Sequence, residues 1–324
     1  MEFVTIAQLE KDLVDGFGKI PKDIDLVVGI PRSGMLVASM IALQMNLPLA
    51  DLNTYLEQKT FSSGTTKSQK RIISFEKIKK VLVVEDSVCH GNSILEAKEK
   101  LKNDPHELIY FAAYVTEQGK RYTDYYLRVI DFPRIFEWNY LHNNLLQNAC
   151  CDIDGVLCDD PSDAENDDGK NYIKFILNTP SKLLPTASIG YIVTSRLEKY
   201  RPQTEAWLKK NGIEYQHLIM MNVDTAEERR ALGNHAVFKA EFFGKCNDAL
   251  WFIESDAQQA ESINNLTKKP VFCVENHLWY DGSKKNEWIA KAKINRPKTL
   301  KQAILKVVPQ ALALKLKKIK NKAH

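Results

Sequence analysis

The chain has 324 residues, which is long enough for two domains, and a formal net charge of +4. Its hydrophobic content of 44% and charged content of 27% are typical of a globular protein. No apolar run approaches the ~20 residues of a membrane span. The six cysteines form no C-x-x-C pair, which favours scattered thiols in a reducing compartment over a disulfide framework or a zinc site. Together with an N-terminus that lacks a signal-peptide pattern, these features predict a cytoplasmic protein.

Strand–loop–helix units open the chain. A helical spacing of apolar residues predicts a helix over residues 5–17. Residues 24–30 predict a buried strand, residues 31–34 a short loop and residues 35–45 a helix. The next strand is expected at residues 47–51. Such alternation is typical of an α/β protein with a parallel sheet.

A long polar segment, residues 57–71, follows this strand. Ser62-Ser63-Gly64-Thr65-Thr66 lies at its centre, and four basic residues surround it: Lys59, Lys67, Lys70 and Arg71. A polar loop of this length inside a compact domain is usually functional or disordered. The sequence leaves both interpretations open.

The stretch from residue 81 to residue 93 joins a strand, two acids and a helix start. Its first four residues predict a buried strand that ends at Glu85 and Asp86. Ser93 and Glu96 have capping-box spacing at the start of the next helix. Backbone N–H groups converge at such a turn and bind phosphate. Since two acids would repel a bare phosphate, the ligand should also offer hydroxyls or a metal ion, as a phosphorylated sugar does.

At these residues the chain resembles the type I phosphoribosyltransferases. Their signature for 5-phosphoribosyl-1-pyrophosphate (PRPP) is an apolar strand, two acids, a short variable run and Thr-Gly-x-Thr. His90-Gly91-Asn92-Ser93 holds the last four positions, with His in place of the first Thr. The resemblance implies that the acids hold the ribose hydroxyls and that the following loop binds the 5-phosphate. The residues so implied are Glu85, Asp86, Ser87, Val88, Cys89, His90, Gly91, Asn92 and Ser93.

The same resemblance assigns roles to two other loops. It implies that the first loop binds pyrophosphate and often contains a cis peptide bond; here that loop holds Arg32, Ser33 and Gly34. It also implies that the segment at residues 57–71 closes over the reaction centre and excludes water from an oxocarbenium-like ribosyl cation. Lys67 or Lys70 would neutralise the departing pyrophosphate together with Mg²⁺. A plain Pro-initiated turn and a merely solvated loop are the alternatives.

The end of this domain does not identify an acceptor. After a strand at residues 107–115, an aromatic run at residues 133–139 loosely resembles the phosphoribosyltransferase ending, with Phe-Glu-Trp in place of Pro-Trp-Glu. The sequence contains no added β-rich subdomain that would form a base-binding hood. We place the first domain at residues 1–146.

A second domain is predicted at residues 147–290. Asp152-Ile153-Asp154-Gly155-Val156-Leu157 stands at a strand end, a second strand ends near Thr194, Lys239 follows, and a third strand ends in Glu254 and Asp256. These four motifs, in this order, resemble those of the haloacid-dehalogenase-like (HAD) phosphatases. The expected fold class is therefore α/β throughout, with two mainly parallel sheets flanked by helices.

The HAD resemblance implies a role for each motif. Asp152 would be the nucleophile, and Asp154 would protonate the leaving oxygen and later activate water. Thr194 and Lys239 would hold the phosphoryl oxygens. Mg²⁺ would be bound by carboxylates and a carbonyl, as suits a hard cation; its implied ligands are Asp152, the Asp154 carbonyl, and Glu254 or Asp256.

The intervals between these motifs predict an open site. Each interval is just over forty residues and must already hold a helix and its loops, so neither contains a large cap domain. Such a site accepts a phosphate on a large molecule. The acidic insert at residues 159–168 is expected to be a disordered rim.

The C-terminal segment at residues 291–324, the basic tail, differs from the rest of the chain. From Trp288 onward there are eleven Lys and Arg residues and no acid, which leaves 34 basic and 41 acidic residues, a net charge of −7, in the preceding part. That acidic body does not favour nucleic-acid binding. The tail's apolar residues share one helical face, which fits a surface helix at an anionic inner membrane face. A helix that docks on its own domain fits equally well, and nucleic-acid binding by the tail is the third interpretation.

The combination of the two domains suggests a two-step reaction. A phosphoribosyltransferase leaves a 5-phosphate on the ribose that it transfers, and a phosphatase could remove it. We therefore predict addition of a ribofuranosyl group to a polysaccharide or lipid-linked glycan. The alternatives are nucleobase or nucleotide salvage, and a PRPP-sensing module that regulates a phosphatase.

Overall fold

The computed structural model describes residues 1–59, 61–62, 72–223, 228 and 235–282. The chain divides into two compact units, Met1–Tyr140 and one that begins at Leu141. The division lies a few residues before the predicted boundary at residue 146. The basic tail, Lys67 and Lys70 lie outside the described residues. Within the described ranges, no helix is both long and apolar enough to cross a membrane.

The first unit is built on a five-stranded parallel sheet. The strands of this unit are β1 (Glu2–Val4), β2 (Leu26–Gly29), β3 (Leu49–Asp51), β4 (Phe61–Ser62), β5 (Ile72–Ile73), β6 (Lys80–Val88), β7 (Glu107–Val115), β8 (Tyr125–Val129) and β9 (Arg134–Phe136). The main sheet has the order β3-β2-β6-β7-β8, β1 pairs with β9 in parallel, and β4 pairs with β5 in an antiparallel hairpin.

Helices cover both faces of this sheet. They are α1 (Ile6–Gly16), α2 (Gly34–Met45), α3 (Leu52–Leu56) and α4 (Asn92–Lys100). Alternate residues of β6 point to opposite faces: Leu82 and Val84 pack in the cluster that contains α1 and α2, whereas Val81 and Val83 pack in the cluster that contains α3 and α4. Because both faces are buried, residues 81–84 of this strand form a continuous apolar run, as is usual in parallel sheets.

Two predicted details of the acid-containing stretch are wrong. β6 does not end at the acids but pairs with β7 as far as Val88. The capping box of Ser93 and Glu96 does not form, because α4 starts one residue earlier and its N-cap is Gly91. Gly91 has φ +82°, and a Cβ there would lie 2.7 Å from the Tyr122 ring, so this turn requires glycine.

The second unit contains a six-stranded sheet in the order β12-β11-β10-β13-β14-β15. Its strands are β10 (Ala149–Cys151), β11 (Ile189–Leu197), β12 (Tyr215–Met221), β13 (Trp251–Glu254), β14 (Val271–Cys273) and β15 (Leu278–Tyr280). All are parallel to their neighbours except β15. The chain starts at the central strand and then fills both sides, so the direction of winding reverses at β10. Ligands of such sheets bind at the carboxyl edge of this switch point.

The helices of the second unit whose bounds the structure describes are α5 (Lys170–Asn178), α6 (Arg201–Lys210), α7 (His235–Lys245) and α8 (Ala257–Thr267). α7 and α8 pack on the sheet through a buried cluster that includes Phe243 and Ile263. Short 3₁₀ segments occur at Phe17–Lys19, Phe75–Lys77, Gly119–Tyr122, Glu137–His142, Asn144–Asn148 and Glu198–Tyr200. The predicted α/β class, with mainly parallel sheets flanked by helices, is confirmed.

Candidate active sites

The carboxyl edge of the first sheet brings two predicted loops together. Gly29 at the end of β2 pairs with Val84 of β6, so the loop that contains Arg32 lies beside the acids of β6. A Cβ at Gly34 would lie 2.6 Å from the Val84 carbonyl oxygen and 3.1 Å from Glu85 Oε1. Only glycine therefore lets the two loops approach this closely. The Pro31–Arg32 peptide bond is cis, and Arg32 is exposed.

Asp86 is held by two donors from distant parts of the chain. The Ser33 hydroxyl donates to Asp86 Oδ1 at 2.8 Å, and the indole N–H of Trp138 donates to Oδ2 at 2.6 Å. Sequence reasoning assigned Ser33 to pyrophosphate and gave Trp138 no role. The only signal for Trp138 was the loose match of the aromatic run. Both contacts fix the orientation of the Asp86 carboxylate at the sheet edge.

Glu85 is buried in an environment that favours its neutral form. It is 4% exposed, and burial, followed by the adjacent Asp86, raises its pKa to about 8. The Ser93 hydroxyl contacts this carboxyl and opposes the rise. Ser93 therefore contacts the acid pair instead of capping α4. Near neutral pH, most Glu85 side chains hold a proton and act as donors as well as acceptors.

Glu85→Gln is expected to flatten the dependence of stability on pH. The folded pKa of about 8 lies above the ordinary value of 4.5, so this group's contribution to stability is complete below pH 4.5 and is lost as pH rises through 8. The loss should be on the order of a few kcal/mol. Thermal unfolding at pH 5 and pH 8.5 measures it, with exposed Glu10→Gln as control. Equal pH dependence in both variants would contradict the assignment.

The predicted phosphate loop is shorter than expected. Val88 is 2% exposed and packs in the core, and the Ser87 hydroxyl accepts from Nη2 of buried Arg134 at 2.8 Å. The remaining residues form the turn into α4 and the first two residues of that helix: Cys89, His90, Gly91, Asn92 and Ser93. His90, Asn92 and Ser93 are exposed, so the start of α4 is open to a ligand.

The second site is organised around a buried lysine. Lys239, on α7, is 1% exposed, and its Nζ lies 2.5 Å from Asp152 Oδ2 and 2.7 Å from Glu254 Oε2. It also donates to Gln259 Oε1 at 3.0 Å. Asp152 directly follows β10 and Glu254 ends the adjacent β13. The structure thus brings together three predicted residues and adds Gln259, which the sequence did not reveal.

The charges at this site depend on one another. Burial raises the pKa of Asp152 to about 7, although Lys239 opposes this rise. Burial lowers the pKa of Lys239, but attraction to Asp152 and Glu254 outweighs this and the pKa lies above its ordinary value. The ammonium therefore stays charged and compensates two carboxylates that would otherwise be very costly to bury.

Asp154 is oriented by a residue that the sequence analysis did not select. Arg196 is 1% exposed and donates to both Asp154 carboxylate oxygens, with contacts between 2.6 and 3.2 Å. The Asp154 carbonyl accepts from the Ser255 hydroxyl at 3.2 Å. Thr194 is fully buried, and its hydroxyl accepts from the Arg196 backbone N–H at 3.3 Å. Arg196 lies two residues after Thr194 on β11. Nothing in the sequence indicated that Arg196 contacts Asp154, because that contact exists only in the folded structure.

The predicted metal ligands share the sheet edge, but not as a ligand sphere. Asp256 is the N-cap of α8 and accepts from the backbone N–H groups of Gln258 and Gln259. Glu254 is occupied by Lys239 and by the Ser255 backbone N–H. Among the described residues, no group of three or more His, Cys, Asp and Glu side chains is arranged to hold a metal ion. The Asp152 carboxylate also contacts Lys239, and the Asp154 carbonyl accepts from Ser255, so both have protein partners as well. They are nevertheless oxygen donors of the type that a hard cation prefers.

A cavity of about 200 Å³ opens on this cluster, and we call it the central cavity. Its lining includes Asp152, Asp154, Asp160, Thr194, His235 and Lys239. The insert at residues 159–168, expected to be a disordered rim, is an ordered wall of this cavity. Asp167 accepts from the backbone N–H of Gly169 and of Tyr172, and Asp168 accepts from the Tyr200 hydroxyl at 2.7 Å.

Comparison with known proteins addresses the first unit. Residues 3–144 match the family of phosphoribosyl transferase domains. These residues form a type I phosphoribosyltransferase domain. The domain includes the acid pair, the loop at Ser33 and the segment that supplies Trp138.

One curated relative is an orotate phosphoribosyltransferase of Staphylococcus haemolyticus, 30% identical over 141 residues. The match covers 44% of this chain and 63% of that relative, so the chain spans less than two thirds of its length. The 141 residues of this match are about as many as the phosphoribosyltransferase domain at residues 3–144 contains.

Solved structures of similar proteins include two purine-related enzymes. A xanthine-guanine-hypoxanthine phosphoribosyltransferase of Helicobacter pylori is 17% identical, with 42% of this chain and 92% of that chain covered and a TM-score of 0.33. A purine phosphoribosyltransferase of Pyrococcus horikoshii is 16% identical, with 43% and 95% covered and a TM-score of 0.31. Scores this low add no support of their own.

Proposed function

We propose that the phosphoribosyltransferase domain transfers a 5-phosphoribosyl group from PRPP. The observation that carries this proposal is Asp86, held at the sheet edge by Ser33 and Trp138 next to the open start of α4. The acid pair would accept from the ribose hydroxyls, and the turn at residues 89–93 would bind the 5-phosphate. Bound Mg²⁺ would offset the charge of the departing pyrophosphate.

Trp138→Phe is expected to raise the KM for PRPP about tenfold, because a hydrogen bond to a charged group contributes roughly 1.5–3 kcal/mol. The phenyl ring can still stack on Phe136, whose ring centroid lies 4.9 Å away, so the fold should persist. Pyrophosphate release measures the effect. Ser33→Ala removes the other donor and should act in the same direction. An unchanged KM in both variants would show that Asp86 needs neither donor.

The second unit is proposed to be a HAD-like phosphomonoesterase. Asp152 Oδ would attack phosphorus, the bond from phosphorus to the sugar oxygen would break, and that oxygen would receive a proton. Water would then hydrolyse the aspartyl-phosphate and release inorganic phosphate. Lys239 would stabilise the negative charge on the transferred phosphoryl group. Asp154, oriented by Arg196, would give a proton to the leaving sugar oxygen and later take one from the attacking water. A bound Mg²⁺ would polarise the phosphoryl oxygens.

Together the two steps would attach an unphosphorylated ribofuranosyl group to an acceptor. The leading acceptor is a polysaccharide or lipid-linked glycan, because only its attached ribose would need to enter the phosphatase site. A nucleobase is the second candidate, favoured by the 30% identity to an orotate phosphoribosyltransferase over 141 residues.

³¹P NMR with PRPP and Mg²⁺ tests these acceptors in turn. Pyrophosphate release that requires a lipid-linked or synthetic glycan, followed by orthophosphate release, is the expected result. Release that requires nucleobases would replace the glycan proposal with salvage. If no acceptor releases pyrophosphate while PRPP alters hydrolysis of a phosphomonoester, the first domain is a sensor.

A further inference from the structure

Two larger cavities adjoin the central cavity of the second unit. The first flanking cavity, of about 590 Å³, lies against α5 and the insert at residues 159–168, and its lining includes Asp159 and Glu165. The second, of about 550 Å³, is lined in part by Asp256 and Glu275. Asp160 belongs to the lining of all three cavities. It therefore marks the junction through which a bound phosphomonoester would continue into either flanking space.

Negative charge predominates around this junction. The two flanking cavities contain five carboxylates in their linings but only two lysines, Lys174 and Lys182, together with His277. One of these lysines is already paired, since Lys182 lies 3.7 Å from Asp159. In the central cavity, Lys239 is compensated by Asp152 and Glu254. A second phosphate group on a ligand would thus meet net repulsion on either side.

Hydrogen bonds hold several of these carboxylates in place. Glu165 accepts from the backbone N–H and the hydroxyl of Ser162, at 3.0 and 2.6 Å. Glu275 accepts from the Ala257 backbone N–H at 3.2 Å. A carboxylate that is fixed in this way cannot turn far from an approaching anion. The repulsion is consequently built into the walls of the site.

We propose that the phosphatase site selects monophosphates whose remaining part is uncharged, and that it rejects PRPP. This inference rests on the proposed function, in which PRPP and a phosphoribosyl product are present together. Both carry a 5-phosphate that fits the central cavity. They differ at C1, where PRPP carries pyrophosphate and the product carries the acceptor. With the 5-phosphate bound, the C1 substituent lies one ribose length away, at the flanking cavities.

Such selection would protect PRPP, the phosphoribosyl donor, from hydrolysis by the second unit. Removal of the 5-phosphate from PRPP would waste it, because the first domain is proposed to hold that phosphate at the start of α4. Electrostatic exclusion lets the phosphatase act only after pyrophosphate has left. The specificity-determining residues are Asp159, Asp160 and Glu165 on one side and Glu275 on the other.

The test compares PRPP with methyl ribofuranoside 5-phosphate, which has a methoxy group in place of pyrophosphate. ³¹P NMR of the full-length protein follows orthophosphate, and pyrophosphate formed at C1 by the first domain is counted separately. For wild type, the kcat/KM of orthophosphate release should be at least ~10-fold higher with the methyl riboside than with PRPP. Added NaCl should narrow the difference, because exposed charges are screened within ~10 Å at 0.1 M salt.

Neutral variants identify the residues responsible. Asp159→Asn/Glu165→Gln/Glu275→Gln should raise orthophosphate release from PRPP ~10-fold and leave the methyl riboside within about twofold. The control Glu241→Gln, exposed on α7, should change neither rate. The proposal would be overturned if wild type released orthophosphate from the two substrates at equal rates. It would also be overturned if the ratio of these two rates were unaltered in the triple variant. Release from neither substrate would instead refute the phosphatase proposal on which it rests.

Discussion

Asp152→Asn is expected to abolish release of orthophosphate and to leave release of pyrophosphate unchanged. An amide oxygen does not form the aspartyl-phosphate that the proposed reaction needs, so the loss should be at least about 10³-fold in kcat. The folded structure should persist, because asparagine has nearly the same volume and its amide oxygen can still accept from Lys239. ³¹P NMR would then show a phosphoribosylated product that accumulates in the variant and is dephosphorylated in wild type.

Asp248→Asn is the matched control, since this aspartate is exposed in the same unit. It should release orthophosphate at the wild-type rate. Persistent orthophosphate release by Asp152→Asn would exclude Asp152 as the nucleophile. Loss of pyrophosphate release in the same variant would mean that the two activities are coupled, which the separate sites do not predict.

The central strands could be predicted from the sequence because a strand that is buried on both faces appears as a short continuous run of apolar residues. The predicted strand at residues 107–115 coincides with β7, and the acid pair and Asp152 stand at or near strand ends in the expected parallel sheets. Parallel strands place their carboxyl ends at one edge, so motifs that follow successive strands meet there. Order along the chain was therefore enough to place Asp152 and Glu254 at the same edge, whereas Lys239 reaches them from helix α7.

The partners of these residues could not be predicted in the same way. Trp138 is 52 residues from Asp86, and Arg196 is 42 residues from Asp154. No repeating pattern in the sequence connects the two residues of either pair. Each contact depends on how a loop or strand packs against the site. Gln259 lies on a helix face that becomes part of the site only when α8 packs beside α7. Such contacts are properties of the tertiary structure.

Predicted roles were wrong where a side chain had a second possible partner in the folded chain. Ser93 and Glu96 satisfy the capping-box pattern, yet Ser93 contacts the Glu85 carboxyl and Glu96 pairs with Lys100 at 2.8 Å. Asp256 looked like a metal ligand because it follows a strand, but its position before α8 also suits an N-cap, and the structure uses it there. In both cases one side chain had two plausible partners in the sequence.

Lys239→Met is expected to be strongly destabilising, by about 3–5 kcal/mol, because it leaves two buried carboxylates without a counter-charge. Asp152 is 6% exposed and Glu254 is fully buried. Without the ammonium the folded pKa of Asp152 should rise further, so the folded variant should bind a proton that the unfolded chain has released. The destabilisation should therefore be smallest at low pH and grow as pH rises through neutrality. Urea unfolding at pH 5 and pH 8 measures both effects.

The double variant Lys239→Met/Asp152→Asn separates this charge effect from lost packing. If uncompensated charge causes the destabilisation, removing one carboxylate should restore part of the stability and weaken its pH dependence, as coupled residues in contact do. If lost packing dominates, the double variant should be no more stable than Lys239→Met at either pH. Lys245→Met, exposed on the same helix, should change stability little. A pH-independent loss would mean that the carboxylates already hold protons in wild type, and Lys239 would then stabilise the site by hydrogen bonding instead of by charge.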